Sequence, residues 1–435
     1  MMASRNHELR AKPNDLAGGD GPGAEQMAGP TLALVPLPAS VAAQPGAFVL
    51  GPSTRIVLTG RAQVEAASVA QYLAELFRRP AGLPLPVVDG ESANDSDAIR
   101  LSLDPGIGHP EAYRLLVSPA GIDLSARTSQ GLFYGVQTLR QMAPVEVESP
   151  GIAAGVAWRL PAVEINDEPR FPYRGMHLDV GRHCFPVAFI RKYIDLLAAY
   201  KLNTFHWHLT DDQGWRIEIK KYPRLTEVGA WRRETEIAPG NFDGQRYGGF
   251  YTQEQIRDVV SYAESCFVTV MPEIELPGHT TAALAAYPEL ACTTGPFEVA
   301  TGWGIKKDVL CPSVKSFTFL EDVLTEVLAL FPSRYIHVGG DEVPTTAWKE
   351  SGVAQALMQR EGIQTVEEIH GYFMRRMSAF LAARGRQLVG WDEILEGGRL
   401  PAATVMSWRG QEGGITAARG DSTSTGASCR SVWTP

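Results

Sequence analysis

Short apolar runs and the polar breaks between them divide the chain into two unlike halves. From Leu32 onward, Phe48–Leu50, Arg55–Leu58, Ala98–Leu103, Tyr113–Val117 and Gly121–Leu124 are strand-sized runs separated by Gly, Pro, Asn and Asp. Arg114–Ser125 reads as a hairpin, because two apolar strands flank the turn Ser118-Pro119-Ala120-Gly121. Ala62–Phe77 and Gln130–Met142 carry helical patterns. This mixture over residues 31–165 predicts a small α+β domain with an antiparallel sheet, and Pro144–Pro161 reads as a linker. Residues 1–30 are rich in Gly, Pro, Ala and charge without apolar periodicity, and read as a disordered tail.

From Tyr173 the rhythm becomes strand, loop, helix. Tyr173–Val180, Asn203–Leu209, Phe267–Ile274, Tyr335–Val338, Gln387–Trp391 and Ala403–Trp408 read as strands, with helices over Pro186–Tyr200, Thr252–Glu264 and Glu367–Arg384. Pro186 opens its helix where a missing N–H is tolerated, and Thr252 with Gln255 has the spacing of a capping box. Alternating β and α with apolar strands implies parallel strands buried on both faces. Polar groups follow each strand in turn: Asp179 and Arg182; Asp211 and Asp212; Glu273, Glu275 and His279; Asp341 and Glu342; Trp391 and Asp392; Trp408 and Arg409. A (β/α) barrel brings all strand C-termini to one rim. A doubly wound sheet would carry a Gly-rich phosphate turn, and the sequence has none. Residues 166–435 are therefore predicted to form an α/β (β/α)8-type TIM barrel.

Composition narrows the partners. At 435 residues, 44% hydrophobic and 20% charged, the chain has room for two globular domains. A formal net charge of -9 disfavours nucleic acid and anionic membrane surfaces. No run approaches the ~18–20 apolar residues of a membrane span. The first residues also lack the apolar core of a signal peptide, which points to the cytoplasm or to a start other than Met1. Five cysteines without a CxxC argue against a zinc ribbon or thioredoxin-like site. Cys292 and Cys311 bracket one loop, and two readings stay open: a disulfide in an oxidising compartment, or two free thiols.

Carboxylates, one Arg, one His and several Trp at a barrel mouth suit a neutral, polyhydroxylated ligand. Indole faces stack on a sugar's C–H face, and hydrolysing its glycosidic bond needs a carboxylic acid able to protonate the leaving oxygen. The residues then become more specific. His337-Val338-Gly339-Gly340-Asp341-Glu342 is accompanied by Arg174-Gly175-Met176-His177-Leu178-Asp179 with Arg182, by His206-Trp207-His208-Leu209-Thr210-Asp211-Asp212-Gln213-Gly214-Trp215, and by Pro272-Glu273-Ile274-Glu275-Leu276-Pro277-Gly278-His279. Gly390-Trp391-Asp392-Glu393 and Ser407-Trp408-Arg409-Gly410 follow. In order and spacing these resemble the β-N-acetylhexosaminidase family, the relatives of chitobiase and lysosomal hexosaminidase. The resemblance is strong over 166–418 and weaker over 31–165, where that family has an α+β domain.

The resemblance implies a retaining, substrate-assisted hydrolysis of terminal β-linked N-acetylhexosamine on a small oligosaccharide or glycoconjugate, without cofactor or metal. It implies Glu342 as general acid and then base, and Asp341 as the group orienting the 2-acetamido function, whose carbonyl oxygen attacks the anomeric carbon. It further implies Arg182 on the sugar's outer hydroxyls, Asp211, Glu275 and His279 lining the pocket, and Trp391 and Trp408 walling the acetamido group. It leans towards a periplasmic or secreted protein.

Blander readings compete at several positions. His206 and His208 form an HxH that binds metal in other barrels, but on the first strand, so hydrogen-bonded wall histidines are expected here. Asp179 either holds Arg182 or binds ligand, and both readings stay open. Asp212 and Glu273 read as supporting groups, and Trp207 and Trp303 as core. The family would carry two more β/α units, with a Tyr, an Asp, a Trp and a Glu, after Trp408. After a helix at Gly413–Arg419 the tail is rich in Ser, Thr and Gly and is expected to supply no strand. The expectation is a C-terminally truncated barrel of about six of eight units, weakly active or inactive. The alternatives are a genuine short form completed by another chain, a non-catalytic sugar-binding remnant, or a metal-dependent barrel hydrolase using His206, His208 and Asp211.

Overall fold

The apolar alternation around Pro119 folds as the hairpin it suggests, with Ser118 opposite Gly121. The computed structural model describes residues 32–90, 97–398, 400, 403–420 and 430–433, so the expected tail over 1–30 lies outside the described residues. The first domain is a sheet of β1 (Ser40–Val49), β2 (Arg55–Thr59), β3 (Val87–Asp89), β4 (Ala98–Leu103), β5 (Tyr113–Ser118), β6 (Gly121–Ala126) and β7 (Arg159–Asp167). Their order is β1-β7-β5-β6-β4-β2-β3. The β1, β7, β5 and β6 side is antiparallel as expected, and β6, β4, β2 and β3 extend it by parallel pairing.

Strand β5 buries Tyr113, Leu115 and Val117 and turns Arg114 and Leu116 outward, the period-2 pattern of a half-covered sheet. Helices α1 (Ala67–Ala81) and α2 (Ser129–Met142) cover its buried face with Val69, Leu73 and Phe77, and with Leu132, Val136 and Leu139. Two boundaries differ from the sequence reading. The end of the expected linker, from Arg159, is already strand β7. Strand β1 starts at Ser40, because its exposed Ser40–Gly46 stretch pairs through backbone and carries no apolar alternation to mark it.

The second domain alternates β8 (Gly175–Asp179), α3 (Val187–Ala199), β9 (Thr204–His208), α4 (Gln253–Ser265), β10 (Thr269–Glu273), α5 (Val314–Leu330), β11 (Tyr335–His337), α6 (Glu368–Ala382), β12 (Gln387–Trp391), β13 (Thr404–Ser407), α7 (Gln411–Gly420) and β14 (Arg430–Trp433). All the strands pair in parallel with their chain neighbours, β8 through β14, as in a (β/α) barrel. Thr252 and Gln255 form the capping box of α4. Helix α5 is an element the sequence reading did not name. Strand β14 corrects the expectation that the tail supplies no strand: Arg430–Trp433 pairs with Thr404–Ser407, so among the described residues the sheet has seven strands rather than six. Pairing needs only extended N–H and C=O groups, which four residues provide without apolar alternation.

Two buried links pin the domains together. Lys201 Nζ donates to Asp167 Oδ2 at 2.9 Å and to the Tyr113 hydroxyl at 2.8 Å. Arg174 lies 2.8 Å from the Glu111 carboxylate. A cavity of about 730 Å³ opens near this junction, at the N-terminal ends of the strands, with Tyr173, Met271, Tyr335 and Val389 in its wall. None of the rim acids Asp211, Glu275, Asp341 and Glu342 lines it. Among the described residues no helix is long and apolar enough to cross a membrane.

Candidate active site

Parallel register sets the floor of the site. Asp179, His208, Glu273 and His337 stand opposite one another on β8, β9, β10 and β11, so one row of the barrel interior is polar rather than aliphatic. Glu273 is fully buried, 2.8 Å from both His206 Nε2 and His337 Nδ1 and 3.6 Å from His208 Nδ1. Burial alone would raise its carboxyl, but the neighbouring imidazoles, His208 foremost, hold it well below the usual range. Burial pushes His206 down to about 3, so it is neutral. Burial would lower His208 too, but Glu273, Asp179, Asp211 and Glu275 hold it well above the usual imidazole value. His208 is a hydrogen-bonding wall histidine, with Nε2 3.0 Å from the Thr210 carbonyl, whereas the two ring nitrogens of His206 are buried without a hydrogen-bond partner among the described residues.

Arg182 is fixed on three sides. Its Nη1 donates to Asp179 Oδ2 at 3.0 Å, its Nε to Gln213 Oε1 at 3.1 Å, and its Nη2 lies 2.8 Å from Asp211 Oδ2. The Arg182 backbone N–H also donates to Asp179 Oδ1 at 3.0 Å. Of the two open readings of Asp179, the structure displays the holding one.

The third and fourth strand ends converge. His279 sits with Nδ1 3.0 Å from Asp212 Oδ2, and with Nε2 3.5 Å from both Asp341 Oδ2 and Glu342 Oε2. Burial alone would lower this imidazole, but Asp212, Asp341, Asp211 and Glu275 push it up to about 12, so it is a fixed cation at neutral pH. Asp212 also accepts from the Thr281 N–H and hydroxyl, at 3.0 and 2.6 Å, which is the supporting role expected of it. Burial and the Asp341 charge hold the Glu275 carboxyl well above the usual range.

The Gly-Gly before Asp341 has a steric reason. Gly339 has φ 63, and a Cβ there would stand 1.7 Å from Glu275 Oε2. The chain then turns through Gly340 at φ 91 and Glu342 at φ 47, with His279 at φ 51 opposite. Two non-glycine residues in the left-handed region, facing each other, mark a place where backbone strain is retained. Asp341 and Glu342 side chains are 17% and 33% exposed. Asp341 Oδ1 is buried, with no hydrogen-bond donor among the described residues.

Arg182, Asp211, Glu275, His279, Asp341 and Glu342 are thus brought together at one rim. Trp391 and Trp408 stand further round, at the ends of β12 and β13. The Trp391 ring lies 4.8 Å from that of His337, facing the polar row. Trp408 is 48% exposed, and its Nε1 donates to the Glu393 carboxylate at 3.1 Å. Donor atoms of His177, His206 and Glu273, of His208, Asp211 and Glu275, and of Asp211, Asp212 and His279 each lie within 4.8 Å of one another, as a cation would require.

Two residues were misjudged or missed from sequence. Trp207 is core as expected, but Trp303 is 64% exposed beside Arg182. Gln213 went unremarked although it lies in the quoted 206–215 stretch, because only folding places it between Arg182 and a distant loop. Cys292 and Cys311 are disulfide-bonded, which settles the two readings of that pair.

Comparison with known proteins agrees with this geometry. Residues 171–427 match glycosyl hydrolase family 20, catalytic domain, and residues 31–168 match glycosyl hydrolase family 20, domain 2. A beta-hexosaminidase of Porphyromonas gingivalis is 46% identical over 387 residues, 88% of this chain and 48% of that protein. One from Vibrio furnissii is 38% identical over 89% of this chain and 62% of its own length. The chain therefore spans about half to three fifths of these curated relatives. The solved GH20 beta-N-acetylhexosaminidase of Streptomyces coelicolor A3(2) superimposes with TM-score 0.78 at 34% identity, covering 93% of this chain and 75% of that one. A mutant Streptomyces plicatus beta-hexosaminidase in complex with product (GlcNAc) has TM-score 0.78 at 35% identity, over 93% and 74% of the two chains.

Proposed function

Because the chain belongs to glycosyl hydrolase family 20, we propose that it removes terminal, non-reducing β-linked N-acetylhexosamine from a small oligosaccharide or glycoconjugate, with retention and with the substrate's own acetamido group as nucleophile. One observation carries the mechanism. Asp341 Oδ1 is a buried carboxylate oxygen with no donor among the described residues, next in sequence to the more exposed Glu342. An unpaired acceptor of this kind is costly unless a ligand completes it. In this reading the substrate's acetamido N–H supplies that donor.

In this reading Asp341 accepts the acetamido N–H and turns the acetamido oxygen towards the anomeric carbon. As that oxygen attacks, positive charge spreads over the oxazolinium ring, and the Asp341 carboxylate stabilises it. Glu342 gives its proton to the departing glycosidic oxygen, then takes one from the water that opens the ring. Both carboxylates lie 3.5 Å from one His279 nitrogen, so they share a side of the pocket. Arg182, held by Asp179 and Asp211, is positioned to donate to outer hydroxyls. Trp391 and Trp408 supply apolar walls.

Hydrolysis of a 4-nitrophenyl N-acetyl-β-glucosaminide tests the reading. Glu342→Gln is expected to lower kcat about 10²–10⁴-fold, and Asp341→Asn about 10²–10³-fold. The glucoside lacking the N-acetyl group should not be cleaved, and a chelator should change nothing. A Glu342→Gln protein with unaltered turnover, or equal cleavage of the glucoside, would contradict the proposal.

A further inference from the structure

Trp303 is 64% exposed beside Arg182, on a loop whose backbone is held at several points. Its loop is closed at the base by the Cys292–Cys311 disulfide and by the Ala291–Leu310 bridge. The Leu310 N–H donates to the Pro277 carbonyl at 3.0 Å, two residues before His279. Within the loop, Ala300 N–H donates to the Asp212 carbonyl at 3.0 Å, and Trp303 N–H to Glu236 Oε2 at 3.1 Å. Gln213 joins loop and pocket directly: its Nε2 donates to the Gly302 carbonyl at 3.0 Å while its Oε1 accepts from Arg182 Nε at 3.1 Å. The Arg182 guanidinium carbon lies 5.7 Å from the centre of the Trp303 ring.

The ties at Ala300, Gly302 and Trp303 hold the loop by its backbone, and the indole faces Arg182. The ring is presented at the mouth, beside the one cation that faces the sugar's outer hydroxyls. We infer that Trp303 is a substrate-contacting residue: its indole forms the outer wall of the pocket on the Arg182 side and stacks against the terminal sugar, while the Cys292–Cys311 disulfide keeps the loop in place. This rests on the glycosidase reading above and adds to it a residue and a covalent clip that set affinity rather than bond cleavage. The ring's neighbour is Arg182, 5.7 Å from its centre, which is assigned to the outer hydroxyls and not to bond cleavage, so its loss acts on binding.

The test uses the full chain with its disulfide intact, 4-nitrophenyl N-acetyl-β-glucosaminide for turnover, and N-acetylglucosamine for calorimetric binding. Trp303→Ala should raise KM and the N-acetylglucosamine Kd about tenfold, the scale of one aromatic stacking contact, with kcat changed less than about threefold. Trp303→Phe should recover most of the affinity. Because the side chain is exposed, the Trp303→Ala melting temperature should match wild type. A double Cys292→Ser, Cys311→Ser variant should reproduce the raised KM with Trp303 still present, and a wild-type KM there would overturn the clip. Wild-type protein that binds N-acetylglucosamine while Trp303→Ala binds it within about twofold overturns the Trp303 assignment alone. Wild-type protein that neither binds nor hydrolyses overturns the glycosidase reading, and this inference with it.

Discussion

At the scale of single residues, the site is made by side chains that constrain one another. Gly339 is the sharpest case, because Glu275 Oε2 occupies the space a Cβ would take and the backbone is left-handed at φ 63. Gly339→Ala should cost about 1–2 kcal/mol from the backbone alone. It should also displace Glu275 and lower kcat/KM at least about 10²-fold. Kinetics of the purified variant check this, and wild-type kcat/KM would show that Glu275 need not sit there. The motif around Asp341 was readable because a Gly-Gly before two acids has few structural uses. The exposure of Trp303 was not readable: its loop has no period, and the loop's ties run from Gly302 to Gln213 and from Trp303 to Glu236, 89 and 67 positions away.

Secondary elements were legible where a local signal closes on itself. The capping box of α4 needs only Thr252 and Gln255, three apart, and both of its hydrogen bonds form. Thr252→Ala should destabilise the protein by about 1 kcal/mol. That shifts the melting temperature by about 2 °C in a chain of this size, and kinetics should be unchanged. An unchanged melting temperature would mean that packing alone holds the helix. The hairpin around Pro119 is similar, since turn and flanking strands are contiguous. Strands β1, β7 and β14 were partly or wholly illegible for the opposite reason. Each is defined by backbone pairing with a partner distant in sequence, or with a strand whose own position must be known first.

Over the whole molecule, the charges buried at the rim tie stability to pH. His279, raised to about 12 from 6.5, is protonated when folded but largely neutral when unfolded above 6.5. Its contribution is complete below pH 6.5 and is lost as pH rises towards 12. Glu393, raised by burial to about 7 from 4.5, acts in the same direction between those values. Asp212 and Glu273, held low, contribute above the ordinary carboxylate range and lose that contribution as pH falls. The melting temperature is therefore expected to fall from pH 7 to pH 10, with a single proton contributing at most about 1.4 kcal/mol per pH unit. His279→Asn should fall less steeply in scanning fluorimetry, and an equal slope would remove His279 from the account. The amino-acid sequence by itself determined the two-domain plan, the parallel β/α rhythm and the identity of the rim acids. Those follow from period, turn chemistry and motif order, which are properties of neighbours along the chain. Tertiary structure alone decided that Glu273 is ionised, that His279 is a cation, that Asp341 keeps an unpaired oxygen and that Trp303 stands open beside Arg182. Charge state and exposure depend on what lies within a few ångströms in space, and in this fold those neighbours come from separate strands and loops.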